Sequence, residues 1–270
     1  MEMAFRVLLS LTQDDASWCQ AFLEDELTLP FIMRIIMKSH AQRCSALSNR
    51  RVAEVAPQVE DDNDAQILDR LCLALGLLTN LVQISDMAKD LTRNIRKSGL
   101  LGCHPCNLDF VLTGLNTACI GKRSCIKACQ CSQRISAIDC LVQVYMQQTK
   151  GSDIDPGANF LRGHIAVLLG LLMRDNKTNQ KVLLAALPGC SNRKKIASLA
   201  EQAREFVTFY AELAVRLASA MSAKDRDSEE NGGSAPRSDD YEVERMVGDG
   251  NGNVAREIVS FLETLSTQQA

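Results

Sequence analysis

The sequence predicts an all-α chain whose helices pack in antiparallel pairs, each pair stacking on the next. Three observations predict it. Leu and Ala are abundant while aromatic residues make up only 4%, a balance that suits helix-on-helix packing rather than a sandwich or barrel. Apolar residues recur at three- and four-residue spacing in one segment after another, and no strand-type alternation stands out. Finally, an L-G-L-L core followed by an asparagine-bearing polar stretch occurs twice, once between Leu71 and Leu91 and again between His164 and Leu184.

Taken in order, Ala4 to Leu11 opens the chain with helical spacing, and Ala16 to Glu26 forms a short amphipathic helix around Trp18 and Phe22. Pro30 begins the next helix, where its fixed φ suits the first turn. Residues 45–64 are polar, include Pro57 and end in an acidic run, which predicts a loop. Ala65 to Val82 carries Leu68, Leu71, Cys72, Leu75, Leu78 and Val82 in the rhythm of a core-facing stripe, with Asp64 as its N-cap. Ser85 starts a helix that runs to Lys97, closed by basic residues and Gly99.

Residues 100–132 are rich in Gly and Cys with weak periodicity, and read as a linker. Gln133 to Gln148 is helical, with Ile135, Ile138, Val142 and Tyr145 on one face. A loop near 149–158 follows. Phe160 to Met173 is apolar nearly all round, which predicts burial on most sides. The stretch RDNKTNQ reads as a turn, Gln180 to Leu187 as a short helix, and Ala197 to Met221 as a long one with Phe206 and Phe209 in its apolar stripe. Residues 222–253 hold nine acidic residues against four basic and read as a disordered acidic insertion. Residues 254–266 return to a helix that packs back on the 1–221 body. Repeated helix pairs of this kind predict a HEAT- or armadillo-like α-solenoid. Gly76 and Gly170 then let neighbouring backbones come close.

Composition narrows the function. With 46% apolar and 23% charged residues and a net charge of −3, the chain has no global basic footprint for nucleic acid. Its longest apolar run, Ile165 to Met173, is shorter than the roughly 20 residues of a membrane span. The N-terminus does not read as a signal peptide, so a cytosolic or nuclear compartment is expected. The 11 cysteines then read as free thiols acting as small hydrophobes. Cys103, Cys106, Cys125 and Cys129 offer a zinc site, but the second pair lacks matched CxxC spacing. His40, His104 and His164 are the only histidines, and no nucleophile elbow, P-loop or dinucleotide fingerprint accompanies them. No catalytic residue, cofactor or metal is expected.

The turns after the two L-G-L-L helices are the remaining candidates, because solenoids bind partners along one face. Asn80 lies at the end of the first, and Asn176, Lys177, Asn179 and Lys181 lie at the end of the second. Asparagines there serve either to bond turn backbone or to contact a partner.

At these residues the chain resembles the C-terminal domain of the wings apart-like (WAPL) proteins. Leu75 to Ser85 is similar to that family's L-G-L-L-x-N-L-V-E segment, with Gln83 in place of its acidic residue. Ala166 to Pro188 is similar to its apolar helix, asparagine turn and helix ending Leu-Pro. FVTFYAEL, a spacer and VAREIVSFLETL are similar to its last two helices. No Phe-Gly-Phe partner motif appears, and the family's domain extends further toward its N-terminus. The resemblance implies a nuclear protein-binding regulator that acts with a HEAT-repeat cohesin regulator on the cohesin core subunits, the ATPase head and the kleisin, to release cohesin from chromatin. It implies contacts through Asn80, Phe160, Asn179 and Lys181.

Overall fold

The computed structural model describes residues 2–13, 15–25, 27–52, 62–97, 110–112, 135–149, 156–226 and 251–269. These residues are almost wholly helical: α1 (Glu2–Thr12), α2 (Ala16–Glu24), α3 (Thr28–Val52), α4 (Asp62–Ile84), α5 (Asp86–Asn94), α6 (Ala137–Thr149), α7 (Pro156–Met173), α8 (Lys177–Ala186), α9 (Asn192–Arg226) and α10 (Asn251–Gln268). The chain is all-α in architecture. Among the described residues the strands are confined to a small antiparallel ribbon, β1 (Ile95–Lys97) with β2 (Phe110–Leu112), in which Arg96 pairs with Val111.

Two helices form the centre. The L-G-L-L helices α4 and α7 pack on each other, with α1 and α3 against α4 and with α6, α9 and α10 against α7. Leu71, Leu75, Leu78 and Leu81 of α4 and Ile165, Leu168, Leu169 and Leu172 of α7 are all buried. Each such leucine stabilises the fold by roughly 1.5–3 kcal/mol relative to exposure. Residues 64–84 are long and apolar enough to cross a membrane, but most of that stretch is enclosed by the other helices. A central core helix has this same composition.

Local signals explain several boundaries. Asp15 caps α2 by accepting N–H bonds from Ser17 and Trp18. Ser85 caps α5 by accepting from Ala88. Pro30 lies in the first turn of α3, where its missing N–H costs no hydrogen bond.

Other boundaries differ from the sequence reading. Residues 45–52 continue α3 rather than opening a loop, because a run of polar residues reads alike in a helix and in a loop. Asp64 lies inside α4, which begins at Asp62. Arg96 and Lys97 leave the helix for β1, so of the expected basic residues only Arg93 lies in the last turn of α5, and Ile95 is its C-cap. Ile135 precedes α6 and is exposed. Of RDNKTNQ only Arg174, Asp175 and Asn176 form the turn, since α8 already starts at Lys177. Residues 222–226 and 251–253 are helical. The remainder of the expected acidic insertion, Cys103, Cys106, Cys125 and Cys129, and most of the 100–132 linker lie outside the described residues.

Candidate partner-binding site

The turn from α7 to α8 is tight because Asp175 takes a left-handed conformation, φ 59°, which an aspartate tolerates better than most residues. Asn176 then caps α8, accepting the Asn179 N–H on Oδ1 at 2.9 Å. Its Nδ2 donates to Asp90 Oδ1 at 2.9 Å, tying the turn to α5.

Asn179 is fully buried and its side chain is spent internally. Nδ2 donates to the carbonyls of Lys89 at 3.2 Å and Leu172 at 3.0 Å. Oδ1 accepts from the Arg93 guanidinium at 2.8 Å. Lys89 is buried too, and its Nζ donates to the Arg174 carbonyl at 3.0 Å and to Asp86 Oδ1 at 2.8 Å. That ammonium holds the Asp86 carboxyl below the usual carboxylate range. A buried lysine is tolerable when its donors are matched in this way.

Asn80 is also buried. It sits one turn inside α4, and its Nδ2 donates to the Leu9 carbonyl at 3.2 Å and to Thr12 Oγ1 at 3.1 Å, binding α1 to α4. Asn80 and the Asn176–Asn179 pair are therefore not at equivalent helix ends. The true counterpart of Asn176 is Ser85, since both cap the next helix. The first unit simply continues further before its turn.

Lys177 and Lys181, by contrast, are exposed on α8. Phe160 is half-buried and lies elsewhere, at the start of α7. It meets Phe206 at 5.4 Å between ring centroids and Phe209 at 5.6 Å, the latter edge-on. Phe206 in turn packs on Tyr210 at 4.7 Å. Thus the predicted residues divide among two buried ties, one half-buried cap, one aromatic cluster and two surface lysines.

Beneath the aromatic cluster is a cavity of about 160 Å³ lined by Leu9, Gly76, His164, Phe206, Tyr210 and Val254, among others. His164 stacks on Phe206, and its Nε2 lies 3.3 Å from Thr79 Oγ1. Thr79 gives its own proton to the Leu75 carbonyl, so the network assigns the imidazole proton to Nε2. Nδ1 is then a buried acceptor with no hydrogen-bond partner among the described residues. Burial lowers the imidazole pKa to about 4, which keeps the ring neutral. Burial likewise pushes the Cys72 thiol up to about 12. Both shifts oppose ionisation, whereas a working acid–base or nucleophilic pair needs accessible, charge-ready groups. No three His, Cys, Asp or Glu side chains converge as metal ligands among the described residues.

Beside the cavity, a second and larger groove of about 510 Å³ runs between the start of α7 and α9. Sequence reasoning passed over its α9 residues. Phe209 fits the apolar stripe of α9 by spacing, yet it is 41% exposed, because α7 covers only part of that stripe. A faint signal existed: Glu201, Glu205 and Glu212 are spaced to fall on nearly the same face as Phe209.

The fold and these sites describe an all-α protein that invests its buried polar groups in ties between helices and leaves charged, grooved helical faces to solvent. No protein-family model matches the chain, and a search of curated proteins finds no match.

Proposed function

We propose that the chain is a protein-binding scaffold of the HEAT or armadillo kind, without catalysis of its own, and that it acts in the nucleus on cohesin as the WAPL proteins do. The observation that carries the reading is the pairing of the two L-G-L-L helices. The blocks that resemble the WAPL domain, α4, α7 with α8, and α9 with α10, are the elements that make up the centre of the fold and its C-terminal side. Cohesin release needs no reactive group here. It requires only that the chain bind an opened cohesin state more tightly than the closed one. Within this reading the contacts fall to exposed Lys177 and Lys181 and to Phe160. Asn80 and Asn179 act by holding the helices that present them, and Asn176 by capping α8.

The test is affinity purification of the tagged chain from nuclei, with mass spectrometry of what accompanies it. The expected result is recovery of the cohesin ATPase-head and kleisin subunits and of a HEAT-repeat cohesin regulator, reduced by Lys177→Glu with Lys181→Glu. Recovery of an unrelated complex without cohesin would make the chain a general helical adaptor and end the cohesin assignment.

A further inference from the structure

We propose that the groove between the start of α7 and the middle of α9 is a docking site for a basic segment of a protein partner, anchored by one large apolar side chain. The inference rests on reading the chain as a protein-binding scaffold, but not on which complex it serves.

Three observations carry it. First, in a chain only 4% aromatic, Phe160, Phe206, Phe209 and Tyr210 gather at one place. Phe160 and Phe209 line the groove, with Phe209 substantially open to solvent. Exposed aromatic rings at a groove are what anchor residues of a partner bury. Second, Glu201, Glu205 and Glu212 line the same groove. Glu201 and Glu212 make no ion pair with any described residue, and Glu205 meets Arg162 at 3.2 Å. Third, Arg204, the one cation among the described residues that line the groove, is already paired to Glu263 of α10. The groove thus carries two glutamates, Glu201 and Glu212, without an ion pair to any described residue, beside an aromatic wall.

This arrangement selects its occupant. Arginine or lysine side chains gain both from the carboxylates and from the faces of the rings. A neighbouring leucine, methionine or phenylalanine covers Phe209. Nucleic acid and anionic lipid are repelled by the same three glutamates. A peptide segment of a partner is therefore the fitting ligand, held by a helix face or an extended stretch.

The experiment uses the full chain and a fluorescein-labelled peptide in which one phenylalanine is flanked on both sides by arginines, followed by anisotropy. Saturable binding is expected, weakening as salt rises. It should fall about tenfold or more with Glu201→Gln plus Glu212→Gln, with Phe209→Ala, and when alanine replaces the phenylalanine of the peptide. Glu24→Gln, an exposed carboxylate on α2, should leave it unchanged. No saturable binding, equal binding of a peptide with glutamates for its arginines, or full binding by the double glutamine variant would each overturn the proposal. If Phe209→Ala melts early, the double variant decides alone, since both glutamates are exposed. Peptide binding without cohesin in the affinity purification retains the groove and removes the cohesin assignment. Cohesin recovered by a chain that ignores the peptide does the reverse.

Discussion

A Cβ atom placed on Gly170 would stand 2.3 Å from Cγ2 of Ile258, far inside the distance at which carbon atoms can rest. Gly170 is therefore the notch that lets α10 lie against α7. Its counterpart in the first L-G-L-L helix is less constrained, since a Cβ on Gly76 would meet the flexible end of Leu9 at 3.1 Å.

Gly170→Ala is accordingly expected to destabilise the chain by about 1–3 kcal/mol, because overpacking outweighs the roughly 1 kcal/mol of helix propensity that alanine adds. Gly76→Ala should be close to neutral, the Leu9 side chain giving way. Urea denaturation of both variants checks the contrast. Equal effects would show that the two glycines play one role.

Asn179 supports a second contrast, with the lysines beside it. Asn179→Ala removes one donor each from the Lys89 and Leu172 carbonyls and one of the acceptors of the Arg93 guanidinium, which keeps Asp90, and should cost about 1–3 kcal/mol. Lys177→Ala and Lys181→Ala, both exposed, should each stay within about 0.5 kcal/mol. Thermal or urea unfolding of the three variants measures this. A stable Asn179→Ala chain would mean that the turn does not depend on its hydrogen bonds.

Asn80 ties α1 to α4 through the Leu9 carbonyl and Thr12. Asn80→Leu should cost about 1–2 kcal/mol, and the amides of α1 should exchange with solvent faster than those of α7. Hydrogen exchange followed by mass spectrometry reads both. Uniform acceleration across all helices would instead indicate a global effect.

His164 makes stability pH-dependent. Its folded pKa is lowered from 6.5 to about 4 by burial, so the unfolded chain binds a proton that the folded chain refuses. The stabilisation is complete above pH 6.5, declines as the pH falls, and levels off below about pH 4. His40 is shifted in the same direction by its burial. His164→Gln should remove roughly 2–3 kcal/mol of the loss between pH 7 and pH 4.5, compared by urea unfolding at the two values. An unchanged slope would show that protonated His164 is accommodated.

Much of the fold was legible because it depends on neighbours in sequence. The stripe from Leu68 to Val82 places α4, Ser85 marks the start of α5, and Pro30 marks the first turn of α3. The polar residues 45–52 were not legible as helix because a polar helical stretch and a loop share a composition, and they continue α3. The candidate site was less legible. Asn179 and Lys181 look alike as polar residues after an apolar helix, yet one is enclosed and the other faces solvent.

By itself the sequence determined that this protein is helical, roughly where its two glycine-bearing central helices run, and that Ser85 starts the helix after the first of them. Each of these properties is set within one or two turns of chain, where spacing and capping chemistry act. The tertiary structure alone decided that Asn80 and Asn179 would be ties, that His164 would stay neutral, and that Phe209 would sit open in a groove with three glutamates. Those outcomes depend on groups brought together from distant parts of the chain, and no local pattern encodes which of them will meet.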